Sequence, residues 1–306
     1  MQEVEVSPNK QYYNAIAQYL QEGKNLQLTD DNEDNVYDYH IVLDNNVLTD
    51  LAAAAKFANA EFQQLISSYP NAIFIIPEIV FEESISNMKN IQHFNSFYLN
   101  FYQTISQLAP VFIVSLADNY NWYAKGFDNK KNAFKSYLDL VKTLNDNLEI
   151  RKKLDTATEI QDVESGLRSV SKDCGERIAF IYTHIMISEK LPNIKFLSKE
   201  VNGVYRKWLQ VYAENKDLLK QVYVKNLEEY IKAFRVESFH KLLFDFARHK
   251  LSGNHQQQFI NYIRQGKCVN DIVNYSNKTL ALSYEEGVNN AKFIGMVRNP
   301  DIVFHY

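Results

Sequence analysis

The sequence predicts an α/β fold, with a short parallel sheet flanked by helices and a mainly helical region after it. Three observations predict it. Short apolar runs (HIVL, AIFII and IKFL) alternate with long helical stretches between residues 39 and 197, the pattern of βαβ units. Each run is continuously apolar, as strands covered on both faces are. Gly (9) and Pro (6) are scarce in a chain of 306 residues, which disfavours many short strands joined by tight turns.

Residues 10–22, KQYYNAIAQYLQE, read as a helix, and the polar, acidic segment 24–38 as a loop. Ile41–Leu43 is the first strand. Apolar residues then return at helical spacing from about Val47 to Tyr69. Ala72–Ile76 is the second strand, stopped by Pro77. A helical stretch runs from about Ile79 to Leu108, and the β-branched run Val111–Leu116 reads as strand or loop. Residues 130–170 are helical and polar. Ile178, Ile181 and Ile185 set a helix from Cys174 to about Lys190. Ile194–Leu197 is a further strand. Everything from about Asn202 to Ile263 reads as helical, with LSGNHQQQ a turn between helices.

Composition narrows the class. Apolar residues make up 46% and charged residues 23%, ordinary for a soluble chain with a sizeable core. MQEVEVSPNK has neither the basic nor the apolar region of a secretory signal. The longest apolar stretch, AIFIIPEIVF, is too short to span a bilayer. Cys174 and Cys268 fit neither a disulfide framework nor a CxxC site. A cytoplasmic protein without a membrane partner is expected.

Charge is unevenly spread. Residues 1–205 hold 18 Lys/Arg and 27 Asp/Glu, a net −9, whereas residues 206–270 hold 12 and 6, a net +6. A basic segment behind an acidic one is either a solvated helix face or a surface that tracks phosphates. Lys207, Lys220, Lys232, Arg235, Lys241 and Arg248 are the candidates for RNA backbone contact.

In parallel sheets the active crevice lies outside the carboxyl ends of the strands. Acids follow each predicted strand there. Asp44 ends the first, with Asn46 two residues on. Glu82 and Glu83 lie on the first turns of the helix after the second. Asp173 and Glu176 sit three apart at a helix start, and Glu200 follows FLSK. Singly, such acids are helix caps or dipole partners. Together they would repel unless a cation neutralised them. Mg²⁺ or Mn²⁺ suits oxygen ligands, and two such ions about 3.5–4 Å apart support phosphodiester hydrolysis.

These motifs resemble the PIN-domain nucleases. Asp44-Asn45-Asn46-Val47-Leu48 is similar to the family's D-x-N-x-L at the end of its first strand. Pro77-Glu78-Ile79-Val80-Phe81-Glu82-Glu83 is similar to its second acidic segment, with Glu83 in the better register and Glu82 the fallback. Asp173-Cys174-Gly175-Glu176 resembles its D-x-G-E pattern, and Ser198-Lys199-Glu200 its T-x-D motif, with Ser and Glu in place of Thr and Asp. The resemblance implies a three-layer nuclease domain over residues 35–205, with a helical insertion at about 120–170. A helical extension, 1–34, would precede it, and a mainly helical, basic region, 206–306, would follow.

It also implies a catalytic and metal-binding set of Asp44, Glu83, Asp173, Glu176 and Glu200 for Mg²⁺ or Mn²⁺, supported by Asn46, Ser198 and Glu82. The expected activity is endoribonuclease, with a toxin or phage-defence role extrapolated from the family. RNA is the expected partner. A neutralising or activating protein and a homodimer are compatible with that role. Two alternatives stand beside it: an inactive PIN-like module that binds RNA or protein, and a metal-independent HEPN-type ribonuclease on a helical bundle. The latter is suggested by the R-x4-H spacing of Arg235 and His240.

Overall fold

The computed structural model describes residues 9–29, 35–86, 88–145, 147–170, 173–199, 234–264, 272–276, 281–285 and 287–304; at 234–236, 272–276 and 281–285 it describes the backbone only. Six strands form one sheet: β1 (Gln21–Glu22), β2 (Tyr39–Leu43), β3 (Ala72–Pro77), β4 (Val111–Val114), β5 (Ile194–Leu197) and β6 (Phe234–Glu237). Their spatial order is β1-β4-β3-β2-β5-β6. Every neighbouring pair is parallel, and β1 is a two-residue edge.

Successive strand residues point to opposite faces, and both faces are covered. Ile41, Leu43, Phe74 and Ile76 join one apolar layer. It is filled by α1 (Lys10–Ile16), α2 (Asn45–Phe57), α3 (Asn59–Ser67), α4 (Glu78–Ser86) and α6 (Asn100–Ser106). Between α4 and α6 lie the short α5 (Ile91–Phe94) and a π-helical segment, Asn95–Leu99. Val42, Ile73, Ile75, Phe112, Ile194 and Phe196 join the other layer. There they meet α8 (Lys130–Leu144), α9 (Leu148–Leu154), α10 (Ile160–Arg168) and α11 (Cys174–Ser188), with α7 (Leu116–Ala124) at the margin. Burial on both faces is the reason these strands read as unbroken apolar runs.

Several helix boundaries differ from the sequence reading. The single helix expected over 47–69 is two, because Ala58 adopts φ −145°, ψ 54° and ends α2. The stretch 79–108 is broken where Asn90 caps α5. Val111–Leu116 is a strand only to Val114. Ser115 and Asp118 then close a reciprocal cap on α7, which ends the strand by starting a helix.

The largest difference lies beyond residue 205. β6 interrupts a segment read as wholly helical and pairs in register with β5, Leu197 opposite Glu237. A Lys195 Nζ–Glu237 Oε2 ion pair of 2.5 Å ties the two strands. The expected helical character holds for α12 (Phe239–Lys250) and α14 (Asn290–Arg298), whereas α13 (Gly253–Arg264) takes in most of LSGNHQQQ, read from the sequence as a turn. A second, antiparallel sheet also lies there, ordered β8 (Ala281–Glu285), β7 (Ile272–Ser276), β9 (Ile302–Phe304). Among the described residues no helix is long and apolar enough to cross a membrane.

From β2 the chain adds β3 and β4 on one side, then crosses back to lay β5 on the other side of β2. The order therefore reverses between β2 and β5. A crevice at the carboxyl ends of those two strands is where ligands bind in open parallel sheets.

Candidate functional site at the strand reversal

Asp44 stands at that crevice and is buried. It is the N-cap of α2, and its Oδ1 accepts from the Asn45 N–H at 2.7 Å. Capping accounts for that one oxygen. Its Oδ2 accepts from Asn46 Nδ2 at 2.8 Å and from Ser198 Oγ at 2.8 Å. Asn46 in turn accepts from the Lys199 N–H at 3.1 Å through its Oδ1. The loop after β5 is thus fastened to the loop after β2 through one carboxylate and one amide. Charge-assisted bonds of this kind are the stronger ones.

Glu82 and Glu83 part company on α4. Glu82 turns to Arg168, with Nη1 2.5 Å from its Oε2, and Arg168 is also held by Glu164. Glu83 faces the crevice. It accepts a hydrogen bond from the Gly175 N–H, and its Oε2 lies where a Cβ on Gly175 would come within 3.0 Å. Burial, then the charge of Asp44, push its pKa up to about 6 against the pull of that hydrogen bond, Arg168 and Arg177. Two carboxylates that repel in a half-buried crevice are an arrangement a cation relieves.

Asp173 and Glu176 occupy the start of α11 beside Gly175. Asp173 takes a left-handed conformation at φ 59° and makes no side-chain cap bond, an uncommon backbone for a residue other than glycine. Glu176 is buried. Glu200 lies outside the described residues, as do Lys207, Lys220 and Lys232. Among the described residues no group of three or more His, Cys, Asp and Glu side chains is gathered closely enough to hold a metal. The fit to a metal is therefore that of a pair. Mg²⁺ commonly takes one or two carboxylates and completes its shell with water and substrate phosphate; Asp44 and Glu83 are two carboxylates whose charges act on each other here.

A cleft of about 200 Å³ adjoins the pair. Asn45, Thr49, Glu83, Ser84, Met88, His93, Phe97 and Tyr98 line it. Thr49 Oγ1 and Tyr98 Oη hydrogen-bond at 3.2 Å across its floor. Phe97 and Tyr98 belong to the π-helical segment, a distortion that recurs at functional sites. Sequence reading missed this wall. Asn45 and Thr49 stand four apart on α2, a signal that was available. The π segment carries none.

No family model, curated protein or solved structure matches this chain. The case for a function rests on the geometry.

Two readings of basic residues change. Arg248 donates to the carbonyls of Val297 (3.0 Å), Met296 (2.9 Å), Asn299 (2.7 Å) and Ile302 (2.5 Å), and stacks on Phe244. It ties off the end of α14, which leaves little of its fork for phosphate. Lys241 pairs with Asp245, with Glu237 Oε1 3.8 Å away. The R-x4-H spacing also loses its setting. Arg235 is in β6 and His240 is in the first turn of α12, buried between Phe239 and Phe293. Burial holds the His240 pKa well below the usual range, helped by Arg264 and Lys199. The pair sits on a parallel sheet, not on a helical bundle.

Proposed function

We propose that the chain is a metal-dependent, PIN-like endoribonuclease that hydrolyses RNA phosphodiester bonds at the crevice between β2 and β5. One observation carries the reading. Asp44 is locked by Ser198 and Asn46 at the point of strand reversal and shares the crevice with Glu83, whose pKa its charge helps to raise.

Mg²⁺ or Mn²⁺, when bound, would supply the activated water and the charge that stabilises the leaving oxygen. The rest falls to this chain's residues. Ser198 and Asn46 hold Asp44 in one orientation, so the carboxylate needs no rearrangement at the moment of reaction. The Gly175 N–H holds Glu83 across from it. Above about pH 6 Glu83 is mainly charged and can hold a cation or take a proton from water. Among the described residues Asp173 and Glu176 do not join Asp44 and Glu83 in a group of three, so the proposed metal pair is Asp44 and Glu83.

A second reading, an inactive RNA-binding module on the same fold, is favoured by the lack of a three-ligand metal group among the described residues. One experiment separates the two. Purified protein is incubated with total RNA in Mn²⁺ or EDTA, beside Asp44→Asn and His240→Ala variants. Cleavage that needs Mn²⁺ and is lost in Asp44→Asn supports the nuclease. No cleavage by the wild type with Mn²⁺ or Mg²⁺ leaves the binding module. EDTA-resistant cleavage lost in His240→Ala overturns both.

A further inference from the structure

We propose that the cleft beside Glu83 receives one unpaired nucleobase, and that Phe57, Lys56 and Phe97 form a stacking track that delivers single-stranded nucleic acid to it. The inference rests on reading the acidic crevice as a nucleic-acid site, and it names how the strand reaches that site.

Four observations converge. Phe57 is 49% exposed, a large aromatic left on the surface next to an exposed lysine. The Lys56 Nζ lies 5.4 Å from the centre of that ring and 5.9 Å from the centre of the Phe97 ring. One ammonium thus bridges two aromatic rings. Phe97 also lines the cleft that Glu83 lines. Asn45, Thr49 and Lys56 lie along α2 between the acid end and the aromatic end, a distance of about 16 Å at 1.5 Å per residue.

Aromatic faces interleaved with a cation are what a single strand needs. Bases stack on the rings whatever their identity, and the phosphates meet the positive charge. The size of the cleft also fits. A cavity of about 150 Å³ holds one benzene ring, so a cleft of about 200 Å³ has room for a single base. The Asn45 amide, whose Oδ1 is buried without a hydrogen-bond partner among the described residues, is the polar group on the cleft wall that a base edge could meet. Duplex would have to open before its bases reached the rings, so unpaired strands are the favoured form.

The test uses the full chain in EDTA, where the proposed hydrolysis does not run. Fluorescence anisotropy reads binding of labelled hexamers of RNA and of DNA, a duplex of the same sequence, and a hexamer with abasic sites. Wild type is expected to bind the single strands at least tenfold more tightly than the duplex or the abasic hexamer. Phe97→Ala is expected to weaken single-strand binding roughly tenfold, Phe97→Tyr to restore it, and Lys56→Gln to flatten its salt dependence. A preference for RNA over DNA would add contact with the 2′-hydroxyl to the track; equal binding would leave stacking alone.

Equal binding of intact and abasic hexamers by wild type overturns the proposal and needs no variant to fold. So does the absence of hexamer binding. The two readings fail separately. A protein that binds through Phe97 and never cuts with Mn²⁺ removes the nuclease and keeps the track. A protein that cuts but ignores base removal does the reverse.

Discussion

The Asp44 carboxylate and the Ser198 hydroxyl meet at 2.8 Å although 154 positions separate them in the chain. The bond closes the loop after β2 onto the loop after β5, across the point where strand order reverses. Asn46 doubles the link by holding both Asp44 and the Lys199 N–H. An acid held this way has a fixed position before any ligand arrives.

Asp44 therefore has a stability role that can be separated from its charge. Asp44→Ala removes a helix cap and leaves the Ser198 and Asn46 donors without their acceptor. We expect a loss of about 2–4 kcal/mol in urea denaturation. Ser198→Ala removes the hydroxyl donor to Asp44 Oδ2 and should cost about 1 kcal/mol. Equal stability of Asp44→Ala and wild type would show that this network does not hold the crevice together.

The raised pKa of Glu83 gives a pH signature. Its folded value of about 6 lies above the ordinary 4.5. The unfolded chain therefore binds fewer protons than the folded one between these values, and stability falls as pH rises from 4.5 to 6. The loss is absent below 4.5 and constant above 6. Discounted for solvent at a half-buried group, it amounts to about 1 kcal/mol. Glu83→Gln should abolish this slope and raise metal-free stability at pH 7.5. Mn²⁺ should raise the Tm of wild type at pH 7.5, and less so that of Glu83→Gln.

At Gly175 the backbone comes close to the Glu83 carboxylate. A Cβ there would lie 3.0 Å from Glu83 Oε2 and 3.0 Å from Val80 Cγ2. Gly→Ala within a helix ordinarily gains up to about 1 kcal/mol. At Gly175 we expect that gain to be reversed into a net loss of about 1–2 kcal/mol, with Glu83 displaced. Gly295, inside α14 with nothing within 4 Å of an added Cβ, is the control and should show the ordinary gain. Thermal melts of the two variants check this, and a stabilised Gly175→Ala contradicts the close approach.

The Lys195–Glu237 pair tests the sheet's sixth strand. Both side chains are largely buried, at 16% and 4% exposure. Glu237→Ala leaves the lysine ammonium without this partner, and breaking such a pair costs about 3–5 kcal/mol. Exposure at Lys195 brings the expectation down to about 2–3 kcal/mol. A neutral result would mean that β6 is not bound to β5 through this contact.

Much of the sheet was legible in the sequence. HIVL, AIFII and IKFL form β2, β3 and β5, and they are mostly apolar because both faces of these strands are covered. Asp44 was legible as a helix start, since capping is local chemistry; the cap at Ser115 was not read, because Val111–Leu116 looked like strand or loop throughout. The strand Phe234–Glu237 was not legible. FRVE carries two charged residues in a basic, helical-looking stretch, and only its pairing with β5 makes it a strand. Register favoured Glu83 over Glu82, but nothing local to the two acids showed what each would meet. Arg168, 85 positions beyond Glu83, holds one, and Gly175 receives the other.

By itself the sequence determined the α/β class, where the central strands fall along the chain and which acids follow them, because these depend on local periodicity and on the apolar character of strands covered on both faces. Only the tertiary structure decided that Asp44, Ser198 and Glu83 share one crevice, that a cleft walled by Phe97 and Tyr98 opens beside it, and that Arg248 and His240 are packed into the fold. Those facts depend on contacts between distant segments. Whether a charged or aromatic side chain is tied inside the fold or left facing a crevice depends on which segment packs against it, and its own neighbours in the chain carry no record of that.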